Sequence, residues 1–472
     1  MNRLSSTVPT SVLLIVLVLL TVSAAVAGGG IQGPFAPDQL VCKLRPGISI
    51  ETINSEYRTT VHRYVPSTGC WLLRTPPGAD AESLAVAINS DQHVTFCDPN
   101  YYLSAPEGLQ RSSPFVDQQV TGEFEEQAAS STLLLPTVHT LSTGSDVRVA
   151  LIDGGVNFDH PIFEPSGKNT GKLVARYDYI DGDSLPFDEP GGSCSGHGTL
   201  IAGVIHLVAP DAEIYVYRVL DTTGVGDGYS VAEAVLQAAE DGCEVVNLSL
   251  GMTGLNPALD EALKVLRQHS ITVVASAGND STDASIAFPF PANRGYCHAV
   301  AALDSVNKKA DFSNYGPKVD LCAPGEWIYG PFLDTTYAWW DGTSFAAPFV
   351  TGTVALLRSL DPSISLAGVD TALMRSAINI HAINPGFEGL LGRGLVNPLG
   401  ALKVAKPDQR GDANGDGAID ISDIVHIVGY MFQGGSAVSA WADGDCDNQI
   451  SIADVIWLVD YIFAGEVGEC GA

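Results

Sequence analysis

Four residues of this chain carry side chains that together suit acyl transfer. Ser344 lies in "DGTSFAAPFV", at the head of the run "TSFAAPFVTGTVALLRSL", which reads as a helix. A serine there can cap the first turn. It can equally serve as a nucleophile, because a helix N-terminus favours developing negative charge. Pro348 fits near that start, since proline lacks the N–H an interior position needs. A nucleophile requires a base, and His197 sits between glycines in "SGHGTLIAGV", where the lack of side chains lets backbone and ligand approach the ring. Asp153 ends the apolar run "VALID" and could orient that base. Asn279 ends "ASAGN", and its amide could donate to an oxyanion. Singly, each has an ordinary reading: a turn former, a structural imidazole, a helix cap. Their joint occurrence in the order Asp, His, Asn, Ser points to nucleophilic catalysis.

The elements that must position them follow from patterning. From about residue 146, continuous apolar runs such as "VRVALID", "AEIYVYRVL", "EVVNLSL" and "ITVVASAGN" read as strands buried on both faces, as a parallel sheet requires. Between them "SVAEAVLQAAEDG" and "PALDEALKVLRQHS" read as helices, the second with Leu259, Leu263 and Leu266 on one face. This alternation predicts an open α/β sheet with helices on both sides, and functional residues at the carboxyl ends of its strands.

The order Asp, His, Ser is that of subtilisin, whereas chymotrypsin and the α/β-hydrolases use other orders. The chain has no G-x-S-x-G motif of the hydrolase kind. With "VALIDGGVNFDHP", "GHGTLIAG", "NLSLG", "ASAGN", "FSNYGP", "DLCAPG" and "DGTSFAAP" in the family's order, residues 131–402 resemble the subtilisin-like serine proteases. The resemblance implies a three-layer α/β/α fold with a parallel sheet and a secreted endopeptidase acting on protein or peptide substrate through an acyl-enzyme. It makes Ser344 the nucleophile, His197 the general base, Asp153 its orienting acid and Asn279 an oxyanion donor beside the Ser344 N–H. It also implies that Ser249, Leu250 and Gly251 line one edge of the substrate cleft. Gly224 and Gly226, in "TGVGDG", line the other, with substrate paired between them as an added strand. Two positions depart from the family's pattern: Leu200 replaces a second histidine, and Phe345 follows the serine where methionine is frequent. An idle subtilase fold kept as a binding protein, or an esterase, are the competing readings; retention of all four polar groups argues against the first.

At 472 residues, two or three domains are expected. Net charge −30 argues against nucleic acid or an anionic membrane as partner. Arg3, the run "VLLIVLVLL" and "AVA" before Gly28 read as an export signal over residues 1–27, with no membrane span after its cleavage. Nine cysteines in an exported chain predict disulfides, and loss of the three early ones would leave an even six. Residues 28–105 suit a small α+β unit, which resembles a subtilase propeptide with "VTFCDPNYYL" as its last strand. Such segments assist folding and then block the active site until cut. Residues 106–130 read as a polar linker carrying the processing site.

Residues 403–410 read as a second linker, and residues 411–472 hold a duplication: "DANGDGAIDISDIVHIVGYMF" returns as "DGDCDNQISIADVIWLVDYIF". Here there are eleven acidic residues and no lysine or arginine. Asp412, Asn414, Asp416, Ala418 (by its carbonyl), Asp420 and Asp423 occupy the ligand positions of a twelve-residue calcium loop. Asp443, Asp445, Asp447, Gln449 (by its carbonyl), Ser451 and Asp454 repeat them, so two Ca²⁺ ions are expected. Aspartate at position 12 and the paired loops resemble a type I dockerin, a small all-α module. The resemblance implies attachment to a cohesin-like scaffold or cell-surface protein. Ile424, Ile427 and Val428 are expected to pack on Val455, Leu458 and Val459, and Cys446 with Cys470 could clasp the chain end.

Overall fold

The computed structural model describes residues 33–109, 112–117, 121–163, 172–283, 289–447 and 449–465. The export signal and Cys470 lie outside them. The first unit is an antiparallel sheet of β1 (Phe35–Leu44), β2 (Thr60–Val65), β3 (Cys70–Arg74) and β4 (Val94–Ser104), in the order β2-β3-β1-β4. Helices Ile50–Tyr57 and Ala81–Asn89, capped by Ser49 and Asp80, close over it. Leu40, Ile53, Leu73 and Ile88 form its core. Cys42 and Cys97, opposite each other on β1 and β4, are joined by a disulfide.

The central unit is a parallel seven-stranded sheet. It comprises β6 (Arg148–Asp153), β7 (Lys172–Asp178), β8 (Glu213–Arg218), β10 (Val245–Leu248), β11 (Thr272–Ser276), β12 (His298–Leu303) and β13 (Leu321–Pro324), ordered β13-β12-β11-β10-β6-β8-β7. The four apolar runs read as strands are β6, β8, β10 and β11. Every residue of β10 and β11 is buried, as two covered faces demand. Helices Gly228–Glu240 and Pro257–Gln268 lie where their periodicity put them, and Leu259, Leu263 and Leu266 are fully buried. Chain order starts in the middle of the sheet at β6 and runs to both sides, so the crevice falls at the carboxyl ends of β6 and its neighbours.

The stretch expected as a linker is built into the fold. After β4 a 3₁₀ turn spans Pro106–Leu109, and β5 (Phe115–Asp117) pairs with β15 (Tyr337–Trp340), itself paired with β14 (Ile328–Pro331). Phe124 and Gln127 are buried, and the Gln127 amide donates to the Tyr329 carbonyl at 2.8 Å. A stretch without periodic apolar residues thus gains order from tertiary contacts. The cysteine expectation also needs correction: Cys70, Cys194, Cys243, Cys297 and Cys322 are free and buried, used as small apolar residues. Cys446 is disulfide-bonded.

In the C-terminal repeat, helices Ile421–Gln433 and Ile452–Ala464 bury Ile427 against Leu458 and Trp457, with Ile424 and Val455 partly covered. Val459, expected inside, is 39% exposed, and neither it nor Val428 joins the cluster, which takes Trp457 and Ala442 instead. The repeat is seated on the central unit. Lys403, expected in a linker, extends from the helix Pro398–Ala405, is fully buried, and meets Asp443 at 2.5 Å.

Candidate active site

Asp153 is the last residue of β6, and its Oδ1 stands 2.7 Å from His197 Nδ1. The same oxygen accepts the Gly154 N–H at 2.7 Å, which fixes the carboxylate plane. His197 opens the helix His197–Val208. Both flanking glycines are required. Gly196 has φ +88° with the Phe332 ring against it, and a Cβ on Gly198 would stand 2.1 Å from the Gly155 carbonyl oxygen. Asp188, which nothing in the sequence singled out, anchors this corner: it accepts from Gly196 N at 2.8 Å and from the Thr199 hydroxyl at 2.7 Å. Burial pushes its carboxyl up to about 7. Trp340 and Phe345 flank the imidazole, so the departure at position 345 supplies a wall to the ring.

Ser344 is the second residue of the helix Thr343–Leu360, and the N-cap is Gly342, with no side-chain cap. The capping role is therefore not taken, and the hydroxyl is free for other partners. Pro348 lies inside the helix, beyond the position expected for it. Its missing N–H leaves the Ser344 carbonyl without its helical donor, and the Ser249 hydroxyl donates there at 2.8 Å. Asn279 follows β11. Its Oδ1 accepts the Thr343 N–H at 2.9 Å and the Thr343 hydroxyl at 2.8 Å, which fixes the amide oxygen and leaves the nitrogen as the donor.

The N-terminal unit lies in the cleft. Ser104 exchanges both backbone bonds with Gly251, each 2.9 Å; Ala105 N–H donates to the Gly224 carbonyl at 2.9 Å, and Leu103 pairs with Gly226 on β9 (Val225–Asp227). Residues 103–105 thus run as an added strand between the two edges that Ser249, Leu250, Gly251, Gly224 and Gly226 were expected to form. Glu107, absent from the sequence reading, reaches the centre of the site. Its Oε2 accepts from Ser344 Oγ at 2.7 Å and stands 3.1 Å from His197 Nε2, and its Oε1 accepts from Asn279 Nδ2 at 2.7 Å. Burial alone would lower the pKa of His197, but the charge of Asp153 and the bonds from Asp153 and Glu107 raise it well above the usual imidazole value. Three of the sequence-selected groups therefore converge on one point, where a hydroxyl, an imidazole and an amide surround a single carboxylate, and the fourth, Asp153, backs the imidazole from its far side.

A carboxylate, an imidazole and a hydroxyl gathered at the edge of an open parallel sheet can support serine-type hydrolysis. The model of the subtilase family (peptidase S8) matches residues 144–417. Thermitase of Thermoactinomyces vulgaris is 37% identical over 240 residues, 49% of this chain and 81% of the relative. Subtilisin Savinase of Lederbergia lenta is 33% identical over 278 residues, 57% of this chain and 95% of the relative. The crystal structure of fervidolysin from Fervidobacterium pennivorans, a keratinolytic enzyme related to subtilisin, superposes with TM-score 0.65 at 22% identity, over 80% of this chain and 62% of that one. The chain belongs to the subtilase family and is a serine-type endopeptidase.

The repeat forms a second candidate site. In the first loop the Asp412 carboxylate accepts the N–H groups of Gly415, Asp416 and Gly417, while Asn414 and Asp416 bond at 3.0 Å. Asp423 accepts from Ala413, Asn414 and Asp420. In the second loop, ligand oxygens of Asp443, Asp445 and Asp447 all lie within 4.8 Å of one another. Burial, then the charges of Asp443 and Asp445, pushes the Asp454 carboxyl up to about 6. The donors are carboxylate and amide oxygens, a hard set suited to calcium. Ala418 and Gln449 lie in the loops with their amides donating to Asp416 and Asp447. Asp420 and Ser451 accept N–H groups of the following helices, and Asp423 and Asp454 accept the Asp420 and Ser451 N–H in return, so each loop ends in a capping box.

Proposed function

We propose that this subtilase is exported as a zymogen and hydrolyses peptide bonds with Ser344 as nucleophile, His197 as base and Asp153 as orienting acid. The observation that carries this reading is the convergence of Ser344 Oγ, His197 Nε2 and Asn279 Nδ2 on one carboxylate. In the reaction Ser344 attacks the scissile carbonyl, and His197 takes its proton and returns it to the leaving amine. Asp153 holds the imidazole with Nδ1 protonated. Asn279 and the Ser344 N–H, one of the unpaired donors of a first helical turn, meet the tetrahedral oxyanion. The N-terminal unit acts as propeptide, supported by its strand-like pairing in the cleft. Labelling with a fluorophosphonate, followed by mapping of the modified peptide, tests the assignment; a label away from Ser344 defeats it. Asn279→Leu removes one oxyanion donor and is expected to lower kcat about 10²–10³-fold with little change in KM. Steady-state kinetics on a peptide substrate measures both.

The repeat would hold two calcium ions through Asp412, Asn414, Asp416 and Asp423 in one loop and Asp443, Asp445, Asp447 and Asp454 in the other. Ligation would relieve the carboxylate repulsion and present the unit to a cohesin-like scaffold or surface partner. Because Asp443 also neutralises the buried Lys403, the informative variant is Asp412→Ala with Asp445→Ala. In the full chain, calcium at a hundredfold excess over Kd should stabilise the wild-type repeat by about 2.7 kcal/mol per site. The double variant should lose that rise and keep peptide cleavage. Thermal unfolding with calcium and with a chelator reads it; equal midpoints for the wild type would remove the metal reading.

A further inference from the structure

The backbone of the N-terminal unit leaves the substrate path just before Ser344. Residues 103–105 are extended, but Pro106 has no N–H to give the Ser249 edge, and the Gly108 N–H turns back to the Ala105 carbonyl at 3.1 Å. The 3₁₀ turn Pro106–Leu109 lifts the main chain away. The group that enters the oxyanion position is therefore a side chain. Glu107 is fully buried and each of its oxygens is engaged: Oε1 by Asn279, Oε2 by Ser344 and His197. The site is shaped to receive it. A Cβ on Gly342 would stand 1.8 Å from Glu107 Oε1, and one on Gly108 would stand 2.5 Å from the Thr223 carbonyl oxygen. Beyond the turn the chain is held again, with Ser112 Oγ donating to the Asp341 carbonyl at 2.7 Å and β5 paired to β15.

We propose that Glu107 is an internal plug whose carboxylate, not a peptide carbonyl, occupies the oxyanion position and keeps the full-length chain latent. The proposal rests on the catalytic reading of Ser344, His197 and Asn279. The block has three parts. The carboxylate takes the donors meant for the oxyanion. It accepts the Ser344 proton that His197 should receive. It also faces His197 with a second negative charge opposite Asp153, which favours the imidazolium, a form unable to act as a base. A peptide bond would be cleaved in this position, whereas a carboxylate side chain offers no leaving group. The bond after Pro106 is consequently spared by its own Ser344.

The test is the rate at which a fluorophosphonate labels the full-length chain, read at the precursor mass so that processed enzyme does not contribute. Wild type, Glu107→Gln and Glu107→Ala are compared, with Glu107→Ala/Ser344→Ala as reference. Loss of a charge-assisted bond network should speed labelling of the Glu107→Ala precursor about tenfold or more, with Glu107→Gln between it and wild type. Glu107→Gln keeps shape and volume and carries the comparison if the alanine variant fails to fold. Precursors of both variants labelling at the wild-type rate, with the Ser344→Ala reference silent, would overturn the plug and leave the triad standing. Labelling that survives in the reference would instead remove the triad reading and the plug with it.

Discussion

Replacing Ser344 by alanine is expected to lower turnover about 10⁶-fold, the loss known for the nucleophile of subtilisin and carried over here from that relative. The size follows from the array acting as a unit. Without the hydroxyl, His197 has no proton to take and Asp153 no imidazolium to stabilise, so the remaining groups only bind and polarise. Asn279 and the cleft edges survive, and they supply the residual acceleration of about 10³–10⁴ over water. The substitution removes one atom from a fully buried side chain and leaves the Ser344 carbonyl bond to Ser249 in place, so the fold is retained. A chain that matures itself should then remain at precursor length, while wild type sheds its N-terminal unit. Intact mass gives the length and a peptide substrate gives the rate. Well-folded Ser344→Ala protein with ordinary turnover would end the assignment.

The central sheet was legible because burial on both faces leaves an unmistakable mark, the uninterrupted apolar runs that became β6, β8, β10 and β11. The four polar groups were legible because each lies at or just past a strand end or at the start of a helix, beside glycines that the tight packing there requires. Glu107 was not, since "SAPEG" carries no periodicity and its role exists only through the pairing of residues 103–105 with distant edges. Asp188 was hidden in the same way: its partners are amides eight and eleven residues on, assembled by a glycine-rich loop. The cysteines misled because export suggests oxidation, while buried strands and helices also take cysteine for its size. In the repeat, spacing marks which carboxylates share a loop, but not that Asp420 and Asp423 together would also cap the following helix.

Asp153→Asn is expected to lower kcat about 10⁴-fold while leaving the geometry almost intact. The change exchanges one oxygen for an NH₂ of nearly equal size in a fully buried position. Oδ1 serves both the Gly154 N–H and His197 Nδ1, so an amide nitrogen that takes its place gives up the Gly154 bond and faces the ring. That nitrogen donates, which forces the His197 tautomer with Nδ1 bare and Nε2 protonated, and such an imidazole cannot accept the Ser344 proton. The same substitution removes the charge chiefly responsible for lifting the His197 pKa against burial. The linkage has a definite sign. A histidine whose folded pKa is raised adds stability in full below its unfolded value, about 6.5, and loses it as pH rises through the folded value. Wild-type precursor should therefore lose stability above neutral pH as His197 deprotonates, and Asp153→Asn precursor should show a smaller loss over that window. Unfolding midpoints measured from pH 6 upward, with kcat beside them, separate the two effects. An Asn variant with wild-type kcat, or with an unchanged pH slope, would mean that Asp153 neither sets the tautomer nor holds the charge.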